Sequence, residues 1–144
     1  MQTIFKQYSV FLVILLSAML VGCSDPSRLP GLVPAEGTLL VGGEPLEGVV
    51  VSLNPVSVSV EFPRTAFGVT DASGRFKVRT LQPDDGAYPG EYAVTAIKYV
   101  PDPRNPAVDS YNILPEKYAN PSTSGIAVTV GPRGSKDIAI ELTK

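Results

Sequence analysis

Few residues of this chain carry groups that could do chemistry, and the most distinctive is Cys23, its only cysteine. The sequence contains no histidine, so it lacks the commonest general base and the commonest metal ligand of proteins. One cysteine forms neither an internal disulfide nor a cysteine-cluster metal site. A serine nucleophile would then need a lysine or carboxylate base, and no serine here has such a context. We therefore expect no catalytic residues, no bound metal and no cofactor.

Cys23 lies directly after an apolar segment. Lys6 is the only charged residue before Asp25, and the apolar run extends from Val10 to Val21. This run is shorter than the ~20 residues of a membrane-spanning helix. It fits the hydrophobic region of a secretory signal, ~7–15 residues long behind a positive N-terminal region. Residues 1–22 are therefore predicted to form an N-terminal signal helix that precedes the mature domain.

The end of this segment, Leu20-Val21-Gly22-Cys23, resembles the lipobox of bacterial lipoproteins. The resemblance implies cleavage between Gly22 and Cys23, a thioether-linked diacylglycerol on Cys23 and, in many species, N-acylation. Two or three acyl chains hold a protein stably to a bilayer, whereas one chain holds it weakly. The expected product is exported and membrane-anchored, facing the periplasm or the cell surface. An ordinary secretory signal with an incidental cysteine, or an uncleaved anchor, is the alternative.

The boundaries that follow are a signal peptide at 1–22, a lipid-anchored tether at 23–33 and one domain at 34–144. The tether contains proline, serine and glycine with little periodicity.

The formal net charge of −2 gives no basic footprint for nucleic acid, so nucleic acid is not an expected partner. The turn carboxylates Asp84 and Asp85 could bind Ca²⁺, but aspartates in turns usually bond the local backbone.

The tyrosines are unevenly distributed along the chain. The five that follow the signal all lie between residues 88 and 118: Tyr88, Tyr92, Tyr99, Tyr111 and Tyr118. Tyrosine offers contact area with few rotatable bonds and a polar end, which suits binding surfaces. We predict a binding surface from Tyr88, Tyr99, Tyr111 and Tyr118, around a long loop at 100–115. In the alternative, Tyr92 and Tyr99 pack on a strand and Tyr118 fixes a helical turn.

Period-2 alternation dominates the rest of the chain, and its 13 glycines and 14 prolines argue against long helices. The pattern predicts an all-β fold, a single seven-stranded and mostly antiparallel β-sandwich. The predicted strands are 33–41, 49–53, 65–70, 75–79, 91–100, 126–130 and 137–142. One helical turn is expected at 114–118, between Pro115 and Asn120-Pro121.

Three motifs carry a second resemblance: G-x-P-L-x-G-V-x-V at 43–51, T-D-x-x-G-x-F at 70–76 and P-G-x-Y at 89–92. Together they resemble the carboxypeptidase regulatory-like and transthyretin-like sandwiches, which implies a Greek-key arrangement. The run 114–125 resembles a bacterial lipoprotein subgroup whose function is unassigned. The enzyme branch of the superfamily, 5-hydroxyisourate hydrolase, uses histidines and a C-terminal Tyr-Arg-Gly-Ser. This chain has neither, ending Glu141-Leu142-Thr143-Lys144.

The expected function is a non-catalytic, lipid-anchored protein of the cell envelope with a structural or adaptor role. Its partners would be the membrane, through lipidated Cys23, and another envelope protein or polymer. The alternative is a small-ligand or glycan-binding module that uses the tyrosine-rich region 88–118, although typical sugar platforms use tryptophan, which this chain lacks. A small hydrolase is the least favoured of the three, because fold analogy alone gives no activity.

Lipidation predicts that an alkyne fatty acid fed to the producing cells will label this protein. Cys23→Ala removes the thiol that accepts the diacylglycerol, so the label should be lost completely. The measurement is in-gel fluorescence after click coupling. An unlabelled wild type, or label that survives Cys23→Ala, would contradict the prediction.

Overall fold

The computed structural model describes residues 31–104 and 110–144, and this part of the chain is nearly all β. Its only helix is one 3-10 turn at Glu116–Ala119. Within the same residues, no helix has the length and hydropathy that a membrane crossing requires. The strands are β1 (Ala35–Val41), β2 (Glu44–Pro45), β3 (Val50–Val58), β4 (Ala66–Val69), β5 (Arg75–Lys77), β6 (Gly90–Ile97), β7 (Tyr99–Val100), β8 (Tyr111–Asn112), β9 (Ala127–Val130) and β10 (Ser135–Leu142).

The all-β prediction is confirmed. Six of the seven predicted segments overlap one strand each, and the segment 91–100 overlaps both β6 and β7. The short 3-10 turn overlaps the predicted helical turn. The structure adds β2 and β8, which are two residues long and too short to produce a periodic pattern. The fifth predicted strand is divided, because β6 ends at Ile97 and β7 belongs to a separate ribbon.

Two sheets and one ribbon contain these strands. In the first sheet β10 pairs with one edge of β1, and β2 and β5 pair with β1 as well. The second sheet has the order β4-β3-β6-β9, and β7 and β8 form the ribbon. Every pairing between named strands is antiparallel except that of β1 with β10, which is parallel.

Alternation places one face of each sheet in a shared core. In β1, Leu39 and Val41 are buried between half-exposed neighbours, and Leu53 of β3 is fully buried in the second sheet. Each such side chain contributes roughly 1.5–3 kcal/mol when it leaves water. The buried residues of both sheets form one cluster, to which β10 adds Ile138, Ile140 and Leu142. The sheets therefore enclose a single core.

Gly37 shows how closely β1 and β10 approach. The register shifts between Ala35 and Gly37, as expected of a β-bulge. A Cβ at Gly37 would collide with the backbone carbonyl of Ile138, so this position accepts no side chain without a backbone shift.

The direction of the strands gives the domain two ends. The near end is the end at which the chain enters β1 from Gly31, beside the bridge between Val33 and Ala87. The far end is where β1 leaves at Val41. Because β10 runs parallel to β1, residue 142 also lies there, and its carbonyl accepts from Gly42 N–H at 2.7 Å.

The second sheet shares these two ends. The turn at 70–74 touches both sheets at the far end, since Thr70 N–H donates to Val49 O (3.0 Å) and Leu39 N–H donates to Gly74 O (2.8 Å). The start of β3 and the end of β6 therefore lie at the far end. The opposite end of the β3–β6 pair, where Val58 is opposite Gly90, lies at the near end.

A buried carboxylate organises the loop at 80–86, at the near end. Asp85 is 3% exposed and accepts backbone N–H bonds from Thr80 (2.6 Å), Leu81 (3.0 Å) and Gln82 (2.9 Å). The Thr80 hydroxyl closes the same loop by donating to Gly86 O at 2.7 Å. Asp85 thus has the local backbone role typical of turn aspartates. In the described part of the chain, no group of three acidic or cysteine residues is placed to hold a metal.

We expect Asp85→Asn to lower the free energy of unfolding by about 3 kcal/mol, because an amide nitrogen replaces an oxygen that accepts buried N–H groups. The neighbouring Asp84 is exposed, so the same change there should cost less than about 0.5 kcal/mol. Urea denaturation of both variants measures the difference. Equal losses of stability would refute the role assigned to Asp85.

Candidate functional site

Two of the predicted site residues lie outside the described part of the chain. Gly22 and Cys23 precede residue 31, so cleavage and lipid attachment stay predictions. The predicted tyrosine surface lies within it, except for residues 105–109 of its long loop.

Tyr88 and Tyr92 are buried and form a local corner at the near end. Tyr92 is in the core, and its hydroxyl donates to the backbone carbonyl of Tyr88 at 2.7 Å. Burial raises the pKa of Tyr92 above the ordinary 10.0 of a tyrosine, although the hydrogen bond to Tyr88 opposes the change. Neither side chain is available to an external ligand as an exposed aromatic surface.

Tyr118 is buried in the 3-10 turn and attaches that turn to the end of the first sheet. Its hydroxyl oxygen accepts the N–H of Thr143 at 3.0 Å and is hydrogen-bonded to the Thr143 hydroxyl at 2.9 Å. The ammonium of Lys117 lies 4.7 Å from the centre of the Tyr118 ring. The hydrogen bond to the Thr143 side chain, followed by that to its backbone, lowers the pKa of Tyr118. The role is structural, as in the alternative derived from the sequence.

Tyr99 and Tyr111 are the two predicted residues that remain accessible, at 61% and 39% exposure. They lie in the ribbon, where Tyr99 is opposite Asn112 and Tyr111 is opposite Val100. Residues directly opposite share a face and successive residues alternate, so the two tyrosines are on opposite faces of the ribbon. The structure therefore does not bring the four predicted tyrosines into one surface.

Hydrogen bonds hold the ribbon at the far end. The side-chain oxygen of Asn112 accepts from the N–H groups of Lys98 (2.9 Å) and Leu114 (3.2 Å), and Ile113 N–H donates to Lys98 O at 2.9 Å. The Lys98 ammonium donates to Glu47 O at 2.6 Å, which joins the end of β6 to the segment before β3. Lys98 thus links the residues that follow β8 to the segment before β3.

A groove of about 560 Å³ opens between these segments at the far end. It is lined by Val41, Glu44, Pro45, Leu46, Ile113, Leu114, Pro115 and Lys144. Aliphatic and proline side chains form most of the wall, and Glu44 and Lys144 contribute one charge of each sign. Its volume is typical of small-molecule sites, which are about 300–1,000 Å³.

The sequence did not reveal this groove. Its walls come from three parts of the chain, around residues 41–46, 113–115 and 144, whose contacts depend on the far-end topology. In the sequence, the first part follows the predicted strand 33–41, and the second contains the start of the predicted helical turn at 114–118. Proline neighbours of aliphatic residues, as in Pro45-Leu46 and Leu114-Pro115, are the only local signal, and it is weak.

The buried polar side chains of the described residues leave no hydrogen bond for a ligand to complete. Among the described residues, every buried side-chain nitrogen or oxygen has a hydrogen-bond partner. Ile113 is exposed beside the ribbon, whereas Leu114 is buried and packs into the core. The groove therefore presents an apolar contact surface, and its wall includes Leu114, which is fixed in the core.

Comparison with known proteins adds little to this description. No protein-family model matches the chain, and no curated protein matches it. Among solved structures, a 9R-lipoxygenase from Cyanothece PCC8801 matches with a TM-score of 0.40 and 20% sequence identity. The match covers 99% of this chain and 23% of that chain, so this chain spans less than a quarter of the lipoxygenase. A likeness at this level carries no argument about function.

The opposite pKa shifts of Tyr92 and Tyr118 predict opposite effects on alkaline stability. The raised pKa of Tyr92 means that the unfolded chain loses this proton first, so stability falls as pH rises above about 10. The lowered pKa of Tyr118 adds stability as pH rises through its folded pKa towards about 10, and that gain persists above it. Tyr92→Phe should flatten the alkaline loss of stability, and Tyr118→Phe should steepen it.

Urea denaturation of each variant between pH 8 and 11 gives the free energy of unfolding as a function of pH. Absorbance at the tyrosinate band, wild type minus variant, should place Tyr118 below the ordinary value and Tyr92 above it. The same alkaline slope in both variants would contradict the prediction.

Proposed function

We propose that this protein is a non-catalytic adaptor of the bacterial cell envelope, anchored by lipid on Cys23 and binding a partner protein at its far end. The observation that carries the proposal is the apolar groove beside the exposed ribbon, at the end opposite to the entry of the chain from Cys23. The lipobox resemblance supports export and anchoring, facing the periplasm or the cell surface.

The same proposal includes a seven-stranded, Greek-key, transthyretin-like sandwich. The longer strands fall into the orders β10-β1-β5 and β4-β3-β6-β9. The connections from β1 to β3, from β4 to β5, from β5 to β6 and from β9 to β10 pass between the two sheets, as connections of Greek-key sandwiches do. The bond from Tyr92 to the carbonyl of Tyr88 has the form of a tyrosine corner, which recurs in Greek-key sandwiches. It also gives a physical reason for the P-G-x-Y motif at 89–92.

The geometry of the anchor favours a partner at the far end. β1 runs from the near end to the far end over seven residues, which span about 20 Å at 3.3 Å per residue. A lipid on Cys23 holds the near end towards the bilayer and leaves the far end facing outwards. The groove and the ribbon are then accessible to another envelope protein.

The chemistry of the groove indicates an apolar segment as its occupant. Ile113, Leu46 and Pro115 give contact area, and the single charges of Glu44 and Lys144 cancel. Affinity would therefore come from burial of apolar surface, with the two charges fixing orientation. The volume of the groove favours a small apolar ligand as the second candidate, which corresponds to the ligand-binding alternative.

A photo-crosslinking amino acid at Tyr111, beside the groove, should capture one discrete partner in intact envelopes. Adding Ile113→Asp should reduce the yield about tenfold or more, because a charge replaces an apolar contact. Val69→Asp is the matched control, since Val69 is also an exposed aliphatic residue but does not line the groove.

Equal yields from the two aspartate variants would refute the groove as the docking site. A small ligand in the groove would instead appear by native mass spectrometry of the purified protein, and Ile113→Asp should remove it. Catalytic turnover of a captured ligand would overturn the non-catalytic assignment.

A further inference from the structure

Three large apolar side chains are strongly exposed at the near end, and the far-end site does not use them. Val56, Phe62 and Leu81 are 69%, 75% and 50% exposed. We call these residues the near-end apolar set. Isolated exposed apolar residues are common, whereas exposed apolar residues that lie together mark contact surfaces.

The three residues reach the near end from three different segments. Val56 lies two residues before the end of β3, which pairs there with the first residue of β6. Phe62 belongs to the connection 59–65, which leads from that end back into β4. Leu81 belongs to the loop that Asp85 organises, and a bridge between Phe67 and Arg79 holds this loop beside β4.

The chain enters the domain at this same end. Seven residues, 24–30, separate Cys23 from Gly31 in the sequence. Even a fully extended segment of this length spans only about 27 Å. If Cys23 is lipidated, the near end is held within that distance of the headgroups, at an effective concentration of roughly millimolar.

We propose that the near end docks on the bilayer, with Phe62, Val56 and Leu81 entering the headgroup region. This inference rests on the proposed lipidation of Cys23. The anchor makes even a weak apolar contact effective, because the second contact of a tethered molecule is intramolecular. The docked domain then has one orientation, with the groove directed away from the lipid.

The charges of the near end indicate that apolar contact supplies most of the attraction. Lys77 and Lys136 line a shallow pocket there together with Glu36 and Asp84, so positive and negative side chains balance. Glu61 directly precedes Phe62 and Arg64 follows it by two residues; both are exposed, so they add one charge of each sign. We therefore expect docking to depend only slightly on salt and on the fraction of anionic lipid.

The test uses the full acylated protein in vesicles of phosphatidylethanolamine and phosphatidylglycerol. Acylation blocks Cys23, so Phe62→Cys gives a single thiol for an environment-sensitive fluorophore, and Val69→Cys gives a matched far-end control. A quencher carried on lipid near the headgroups should quench the label at 62 at least threefold more than the label at 69. Leu81→Asp in the Phe62→Cys protein should reduce that quenching at least twofold.

Each other outcome overturns a defined claim. Equal quenching at 62 and 69 in protein of acylated mass overturns bilayer docking and leaves the anchor intact. Absence of acyl mass overturns the lipid anchor and this inference together. Quenching of the label at 62 that disappears when the protein is diluted into excess vesicles indicates contact with a second copy of the protein. This result also overturns bilayer docking.

Discussion

β1 is hydrogen-bonded along both of its edges, to β10 on one side and to β2 and β5 on the other. The parallel pairing with β10 sets the architecture, because it brings residues 35–41 beside residues 135–142 in the same direction. Val41 and Lys144 consequently lie together at the far end and form part of one groove. The bulge at Gly37 and the tight approach to Ile138 show that this pairing leaves no room for a side chain at position 37.

The tyrosines illustrate how one residue type takes different roles in a small domain. Tyr92 and Tyr118 are buried, and the hydroxyl of each is hydrogen-bonded. Each tyrosine holds a connecting segment in place and does not bind a ligand. Tyr99 and Tyr111 are exposed because β6 ends at Ile97 and the chain continues as a ribbon outside the core. The tyrosines are therefore close in the sequence because several connections of one irregular region are fixed by tyrosine side chains. They do not form a shared surface.

The strands could be predicted because burial on one face imposes a period of two, which is visible locally in Ile138, Ile140 and Leu142. Their order could not, because pairing partners are as far apart as Gly37 and Ile138 and no local pattern records them. The groove was missed for the same reason. The role of Asp85 was foreseen only as the general habit of turn aspartates, since nothing distinguishes it from Asp84 until burial is known.

The pairing of β1 with β10 also has a consequence for how the chain acquires its fold. Its contacts join positions about a hundred residues apart, so the contact order is high and folding is expected to be slow. During synthesis, β1 emerges first and must wait for β10 before the first sheet can close. The edge of β1 that will pair with β10 is exposed to aggregation during that interval.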